Sequence, residues 1–307
     1  MVNELEKRTP MHNSMERKVE SVPELLYKFR HWKGKNGEDH PYDQSILTHR
    51  IVRFSSPAEF NDPFDCRIPF RYDLMPKKDQ FRKAYEIARR KFPIWDDKRL
   101  KVGVQRELEL NPLFSKDAEL AMGAQADIFQ FLATSFGVLS LAGNRESMLM
   151  WSHYADSHRG YCVALDGKAL AYRLFGLLLK DKEAIDSCKV QYGRDLPIVI
   201  PTADEEVDRE RYRSLLSSKS QDWAYEEEYR FIYVGKTRLS RGIKRDAIKR
   251  VIFGCQMPPE HRMEIADIVH TTLPKAELWE AVRSNDEFKL DFRPWKADGS
   301  GSPLSRG

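Results

Sequence analysis

The stretch MWSHYADSHRGYCVALD, residues 150–166, changes its period at Gly160, and that change decides the fold class. Before the glycine the pattern is helical. Asn144 caps a helix starting near Arg145, and Glu146 falls in its first turn, where the helix dipole favours negative charge. Trp151, Tyr154 and His158 lie at i, i+3 and i+7 and so share a face. Gly160 occupies the place where a left-handed residue closes a helix. After it, YCVALD reads as a short, largely buried strand.

Outward from this helix–strand pair, two early strands are expected at LLYKFR and IVRFSS. The polar loop HWKGKNGEDHPYDQ and the helical turn SILTHR separate them. PAEFNDPFDC (57–66) is dense in turn formers. There Asn61 and Asp62 bond their own backbone, Pro63 forces Asp62 to be extended, and Asp65 completes a structural turn. Residues 78–92, 96–110 and 115–136 are helical, an insertion of about 77–136. Beyond Gly137 strands are expected at VLSLA, YCVALD, CKVQY, YRFIYVG, RVIFG, ELWEAV and KLDFRPW. Helices intervene at 146–157, 168–180, 204–219 and 259–273. Strands that follow one another without a helix predict an α+β fold with a mixed, largely antiparallel sheet. The expected organisation is a charged tail over 1–20, one α+β domain over 21–296, and a flexible tail over 297–307.

Composition excludes several classes. A net charge of +4, from 51 basic and 47 acidic residues, announces no strongly basic face for nucleic acid. The four cysteines are scattered without a CxxC pair, which argues against a zinc ribbon and a disulfide framework and predicts reduced thiols in a cytoplasm. Cys162 and Cys255 fall in expected core strands, where a thiol is inert. There is no apolar leader segment and no apolar run of membrane-spanning length, so no membrane role is expected. GxGxxG, GxxxxGK[ST] and GxSxG motifs are missing.

Two stretches carry candidate chemistry. His153 and His158 are five residues apart, roughly 140° around a helix, whereas a helical zinc pair needs i, i+4. No metal is therefore expected. His158 titrates near neutrality and suits an acid or a donor. In KSQDWAYEEEYRFIYVG, strand alternation puts Glu226, Glu228 and Arg230 on one face, and Tyr225, Glu227, Tyr229, Phe231 and Tyr233 on the other. One reading is a solvated face whose Glu228–Arg230 pair contributes under about 1 kcal/mol. The other is a Glu-x-Glu pair for chemistry at a ribose anomeric carbon. One carboxylate would steady the oxocarbenium-like transition state, and the second would orient the attacker.

In combination, EFNDPFD, MLMWSHYADSHRGYCVALD and WAYEEEYRF resemble a bacterial family of unknown function. Its hallmarks are an N-D-P-F-D turn, an M-W-x-H-Y-A…H-x-G segment and a W-x-x-E-x-E-Y-R strand. LLYKFR and VIFG match further strands, so the resemblance runs from about Leu25 to Gly254. It implies a cytoplasmic bacterial protein, with some members beside mobile-element or defence genes.

The order of early strand, serine-bearing middle strand and late Glu-x-Glu strand is also similar to that of ADP-ribosyltransferases. That similarity implies NAD as substrate, with Tyr27 or Arg30 holding one end of it. Ser140 stands where those enzymes carry a serine-threonine-serine run, although Leu141 and Ala142 replace the rest. Glu228 would contact the ribose, with Glu226 as its partner.

Three classes follow from these readings. The first is an intracellular enzyme transferring ADP-ribose from NAD to a protein or nucleic-acid acceptor, or hydrolysing NAD. Its catalytic residues would be Glu228, Glu226 and His158, and its substrate-binding residues Tyr27, Arg30, Ser140, Trp151, His153, Tyr154 and Arg230. The second is a metal-dependent nuclease or phosphoesterase using Asp62, Asp65, Glu226, Glu228 and a histidine. The third is a non-catalytic sensor or partner-binding module that presents residues 77–136.

Overall fold

The computed structural model describes residues 10–34, 38, 41–110, 118–181, 184–200 and 205–297. Parts of several expectations lie outside them: residues 1–9 of the amino-terminal tail, 35–37 and 39–40 of the polar loop, 111–117 of the helical insertion, 204 of the helix expected at 204–219, and 298–307 of the carboxy-terminal tail.

In chain order the elements are α1 (Pro10–Glu20), β1 (Leu25–Arg30), α2 (Pro41–Thr48), β2 (Ile51–Phe54), α3 (Lys77–Lys91), α4 (Asp97–Leu110), α5 (Ala118–Ser135) and β3 (Phe136–Ala142). There follow α6 (Met148–Tyr154), β4 (Tyr161–Asp166), α7 (Gly167–Asp181), β5 (Ala184–Lys189), β6 (Gln191–Gly193), α8 (Glu205–Ser217) and β7 (Ser218–Ser220). The chain closes with β8 (Glu228–Val234), β9 (Leu239–Gly242), β10 (Ile248–Phe253), α9 (Pro259–Thr272), β11 (Glu277–Arg283) and β12 (Leu290–Pro294). Two compact units result. One comprises residues 1–55, 137–189 and 224–307, the other residues 56–136 and 190–223.

The first unit is built on an eight-stranded sheet in the order β12-β11-β10-β4-β1-β3-β8-β5. The β1–β3, β1–β4, β4–β10, β5–β8 and β11–β12 pairs are antiparallel. β10 and β11 are parallel, and α9 supplies the crossover such a pair requires. The α+β class with a mostly antiparallel sheet is thus borne out.

Alternation along the strands divides the core. Leu26, Tyr161, Val163, Leu165, Phe231 and Val251 join Leu174 and Phe175 of α7 and Ile265 and Val269 of α9. The opposite set, Tyr27, Phe29, Cys162, Ala164 and Ile252, packs with Met150 and Trp151 of α6. Trp151 is fully buried, meets Phe29 edge-on at 5.1 Å, and donates its indole N–H to the Arg145 carbonyl at 2.7 Å. α1 is a helix that buries Val19 in the larger cluster.

The quoted stretch is helix then strand, with three corrections. The N-cap is Ser147, whose hydroxyl accepts from the Met150 N–H, while Asn144 accepts from the Glu146 N–H in the turn before. α6 ends at Tyr154 because Asp156, Ser157 and His158 take left-handed φ values of 47°, 50° and 68°. His158 therefore leaves the face that Trp151 and Tyr154 share. Gly160 keeps a negative φ and is needed for close approach instead: a Cβ there would lie 2.2 Å from the Arg30 carbonyl oxygen. Gly254 has the same role, since its Cβ would lie 2.1 Å from the His158 carbonyl oxygen.

Other differences have local causes. The strand expected at CKVQY divides into β5 and β6, which belong to different units. β9, LSRG, pairs with β2 despite its polar composition, and the helical turn expected at SILTHR begins earlier, at Pro41. Among the described residues no helix is long and apolar enough to cross a membrane.

In the second unit, α3 packs against α4, and Ser56 caps the short helical turn Pro57–Glu59 in a reciprocal capping box with Glu59. The Asp62 carboxylate accepts from the Phe64 N–H at 2.9 Å, as the turn reading of NDPFD requires. Asn61 and Pro63 are exposed at that turn. Buried Asp65 accepts from the Cys66 thiol and pairs with buried Lys219 at 3.7 Å.

The backbone carbonyl facing Gly254 cannot rotate away, so Gly254→Ala is expected to lower stability by roughly 2 kcal/mol or more. Gly176→Ala in α7, where nothing lies within 4 Å, should be neutral or stabilising. Urea midpoints of the two variants check this pair.

Candidate functional site

The entry to β8 meets α6 and the turn that precedes it through three consecutive residues. Gln221–Glu226 is a 3-10 helix, and Glu227 takes a left-handed φ of 46° before β8 begins. That turn breaks the strand alternation expected for Glu226, so Glu226 and Glu228 do not share a face through the pleat. Each of the three residues is tied to a neighbour. The Tyr225 hydroxyl and His153 Nδ1 are hydrogen-bonded at 3.0 Å. The Tyr154 hydroxyl donates to Glu226 Oε1 at 2.8 Å. The Glu227 carbonyl accepts from the Gly143 N–H at 2.9 Å, and its carboxylate accepts from the Asn144 amide at 3.1 Å. Gly143 permits this approach, because a Cβ there would lie 2.9 Å from the Glu227 carbonyl oxygen.

The carboxylates are not on a solvated face. Glu226 and Glu228 are each 4% exposed and Arg230 is fully buried. Both Glu228 oxygens accept from Arg230, Oε1 from Nε and Oε2 from Nη2, each at 2.8 Å. A buried bidentate pair differs from the exposed one expected. Its charges are compensated by each other, and removing one partner strands the other in a medium that solvates it poorly.

Lys28 is the charged neighbour that strand reasoning overlooked. β1 and β3 pair at Tyr27–Ala142, and Lys28 Nζ donates to the Ser140 carbonyl at 2.6 Å. It is thus the Ser140 carbonyl that is engaged there. Burial lowers the Lys28 pKa to about 7, with Arg30 adding to the effect and Glu228, Asp43 and Glu226 opposing it. The one signal for it in the sequence is a lysine between the aromatic residues of LLYKFR.

Tyr27 and Trp151 fall in one buried cluster, with Tyr154, Tyr225, Trp279 and Phe292 at its border. Arg145 lies over the rings of Trp279 at 5.6 Å and Phe292 at 4.7 Å, and Arg250 over Trp279 at 4.7 Å. Burial raises the Tyr27 pKa, and the Arg145 charge opposes that rise. Arg145, Arg250 and Trp279 were not singled out from the sequence, which brings them together only through the sheet order. Arg30 alternates to the opposite face from Tyr27 and pairs with Asp43 at 3.3 Å. His158 lines a cavity to which neither Glu226 nor Glu228 contributes. Among the described residues no three His, Cys, Asp or Glu side chains gather in a metal-binding group.

Residues 150–231 match the family model described as Protein of unknown function (DUF2971). The matched segment begins in α6 and ends in β8, and so contains Tyr154, Tyr225, Glu226, Glu228 and Arg230. Neither the curated proteins nor the solved structures give a match. What the DUF2971 match adds is that the two segments joined by the Tyr154–Glu226 bond belong to one family signature.

Two outcomes are expected. Arg230→Met should cost about 3–5 kcal/mol, and the double variant Glu228→Leu/Arg230→Met should recover most of it, read as urea midpoints. The Lys28 pKa is lower in the folded chain than in the unfolded one, so between pH 7 and about 10 the unfolded state holds the extra proton. Stability of the wild type should therefore rise with pH across that window, and Lys28→Met should remove the rise.

Proposed function

We propose that this protein is a nucleotide-directed enzyme that breaks the nicotinamide–ribose bond of NAD, with Glu226 as its catalytic carboxylate. The observation that carries the reading is the buried Glu226 carboxylate oriented by the Tyr154 hydroxyl. A carboxylate held in a poorly hydrated place, one oxygen fixed by a donor, suits the cationic ribose of an oxocarbenium-like transition state. In the step envisaged, the C–N glycosidic bond breaks and its electron pair leaves with nicotinamide. The oxygen of water or of a protein or nucleic-acid acceptor forms the new C–O bond, and its proton passes to a base.

Glu228 has a different part in this reading. With both oxygens on Arg230, it holds the strand entry in place and is a positioning residue. The rings and guanidinium groups of Tyr27, Trp279 and Arg145 supply stacking and phosphate-pairing chemistry of the kind a dinucleotide needs. NAD consumption would also account for the defence-gene setting that the family resemblance implies. A metal-dependent phosphoesterase is disfavoured, because Asp62 and Asp65 are engaged in their own turn and no ligand cluster occurs among the described residues. A partner-binding module remains the competing class, favoured by exposed Ile94, Val102 and Leu110 on and beside α4.

The test is NAD turnover by purified protein, with nicotinamide release measured. Wild type should release nicotinamide, Glu226→Gln should lose roughly 100-fold or more in kcat, and Tyr154→Phe should lose less. Equal rates for wild type and Glu226→Gln, or no release by either, would sink the proposal and leave the module.

A further inference from the structure

Beside the β11–β12 hairpin lies a cavity of about 450 Å³, within the range of small-molecule sites. One wall is the loop that follows α6. Asp156, Ser157 and His158 are all left-handed there, a conformation that is unfavourable for non-glycine residues and persists only with outside support. The support is visible. The His158 N–H donates to the Trp151 carbonyl at 3.0 Å, the His158 carbonyl accepts from the Gln256 N–H at 3.0 Å, and the Gly254 N–H donates to the Gly160 carbonyl at 2.9 Å. Strained backbone is thus fixed so that His158 lines the cavity.

The imidazole has unmet hydrogen-bonding capacity. His158 Nδ1 is buried and makes no hydrogen bond, a cost that the packing around the ring has to offset. Burial also lowers the His158 pKa, which favours a neutral ring. Gln256 and Asn285 bring carboxamides to the same cavity, and Arg283 brings a guanidinium that pairs with no carboxylate among the described residues. Phe288 is 100% exposed on the hairpin turn, and Met148 is 45% exposed. Cys255 is no nucleophile there, because burial raises its thiol pKa.

We propose that this cavity binds a purine nucleotide. The base lies between Phe288 and Met148, the carboxamides read its edge beside the His158 ring, and Arg283 takes the phosphate. An exposed aromatic ring is a stacking platform for a base, carboxamides match the donor–acceptor pattern of a purine edge, and a guanidinium pairs with phosphate in two-pronged fashion. Neither Glu226 nor Tyr154 lines the cavity, so the site goes beyond the NAD reaction proposed above and does not depend on it.

Calorimetric titration of the full chain with AMP tests this. AMP should bind wild type, while Arg283→Ala, Phe288→Ala and His158→Ala should each weaken binding by about tenfold. Glu226→Gln should bind AMP as wild type does, whatever its effect on NAD turnover. Arg283 and Phe288 are exposed, so their variants keep the test valid if His158→Ala destabilises the strained loop. Absence of AMP binding overturns the proposal. So does binding that both exposed-residue variants leave unchanged, or ribose 5-phosphate binding as tightly as AMP.

Discussion

The hydrogen bond from Tyr154 to Glu226 carries the organisation of the first unit's polar interior. A carboxylate that is 4% exposed has almost no water to solvate it, so its position depends on the donors the fold delivers. Delivering that hydroxyl requires α6 to end near the 3-10 turn before β8, and the Trp151–Phe29 contact fixes α6 on β1. The left-handed Glu227 then sets where β8 begins, and the Gly143–Glu227 bond ties that point to the end of β3. Strand order and polar network are therefore one arrangement.

Next to this network, the bidentate Glu228–Arg230 pair and the Lys28–Ser140 contact carry charge through a largely apolar layer. Their chemistry differs. Glu228 and Arg230 neutralise each other. Lys28 reaches a backbone carbonyl, and burial brings its proton within reach of physiological pH. A buried charge with a structural partner and a half-buried charge poised to titrate thus lie in the same sheet.

Much of the fold was legible in the chain. β1, β4, α7, α9 and β11 have periodicity and burial that agree, so pattern alone marks them closely. The NDPFD turn was legible for the same kind of reason, since Asp62 bonds the backbone two residues on. The site was less so. Alternation carried back from β8 placed Glu226 beside Glu228, and nothing in EEEYR tells which glutamate turns left-handed. Helical spacing carried forward from Trp151 put His158 on the α6 face, but the helix stops at Tyr154, and the following turn is held in part by the Gly254 and Gln256 amides, far along the chain. Lys28 was missed because its meaning depends on β3, more than a hundred residues away.

The strand order has a bearing on the segment that the family signature spans. Residues 150–231 include β4, β5 and the first part of β8, up to Phe231, but β1, β3 and β10, which flank β4 and β8 in the sheet, fall outside it. Cut free, the segment would present rows of unpaired amides and carbonyls on both sides of β4, a template for intermolecular association. It would also retain only residues 190–223 of the second unit. The matched stretch is accordingly a thread through the architecture, and an expression fragment trimmed to it would aggregate instead of reporting on the site.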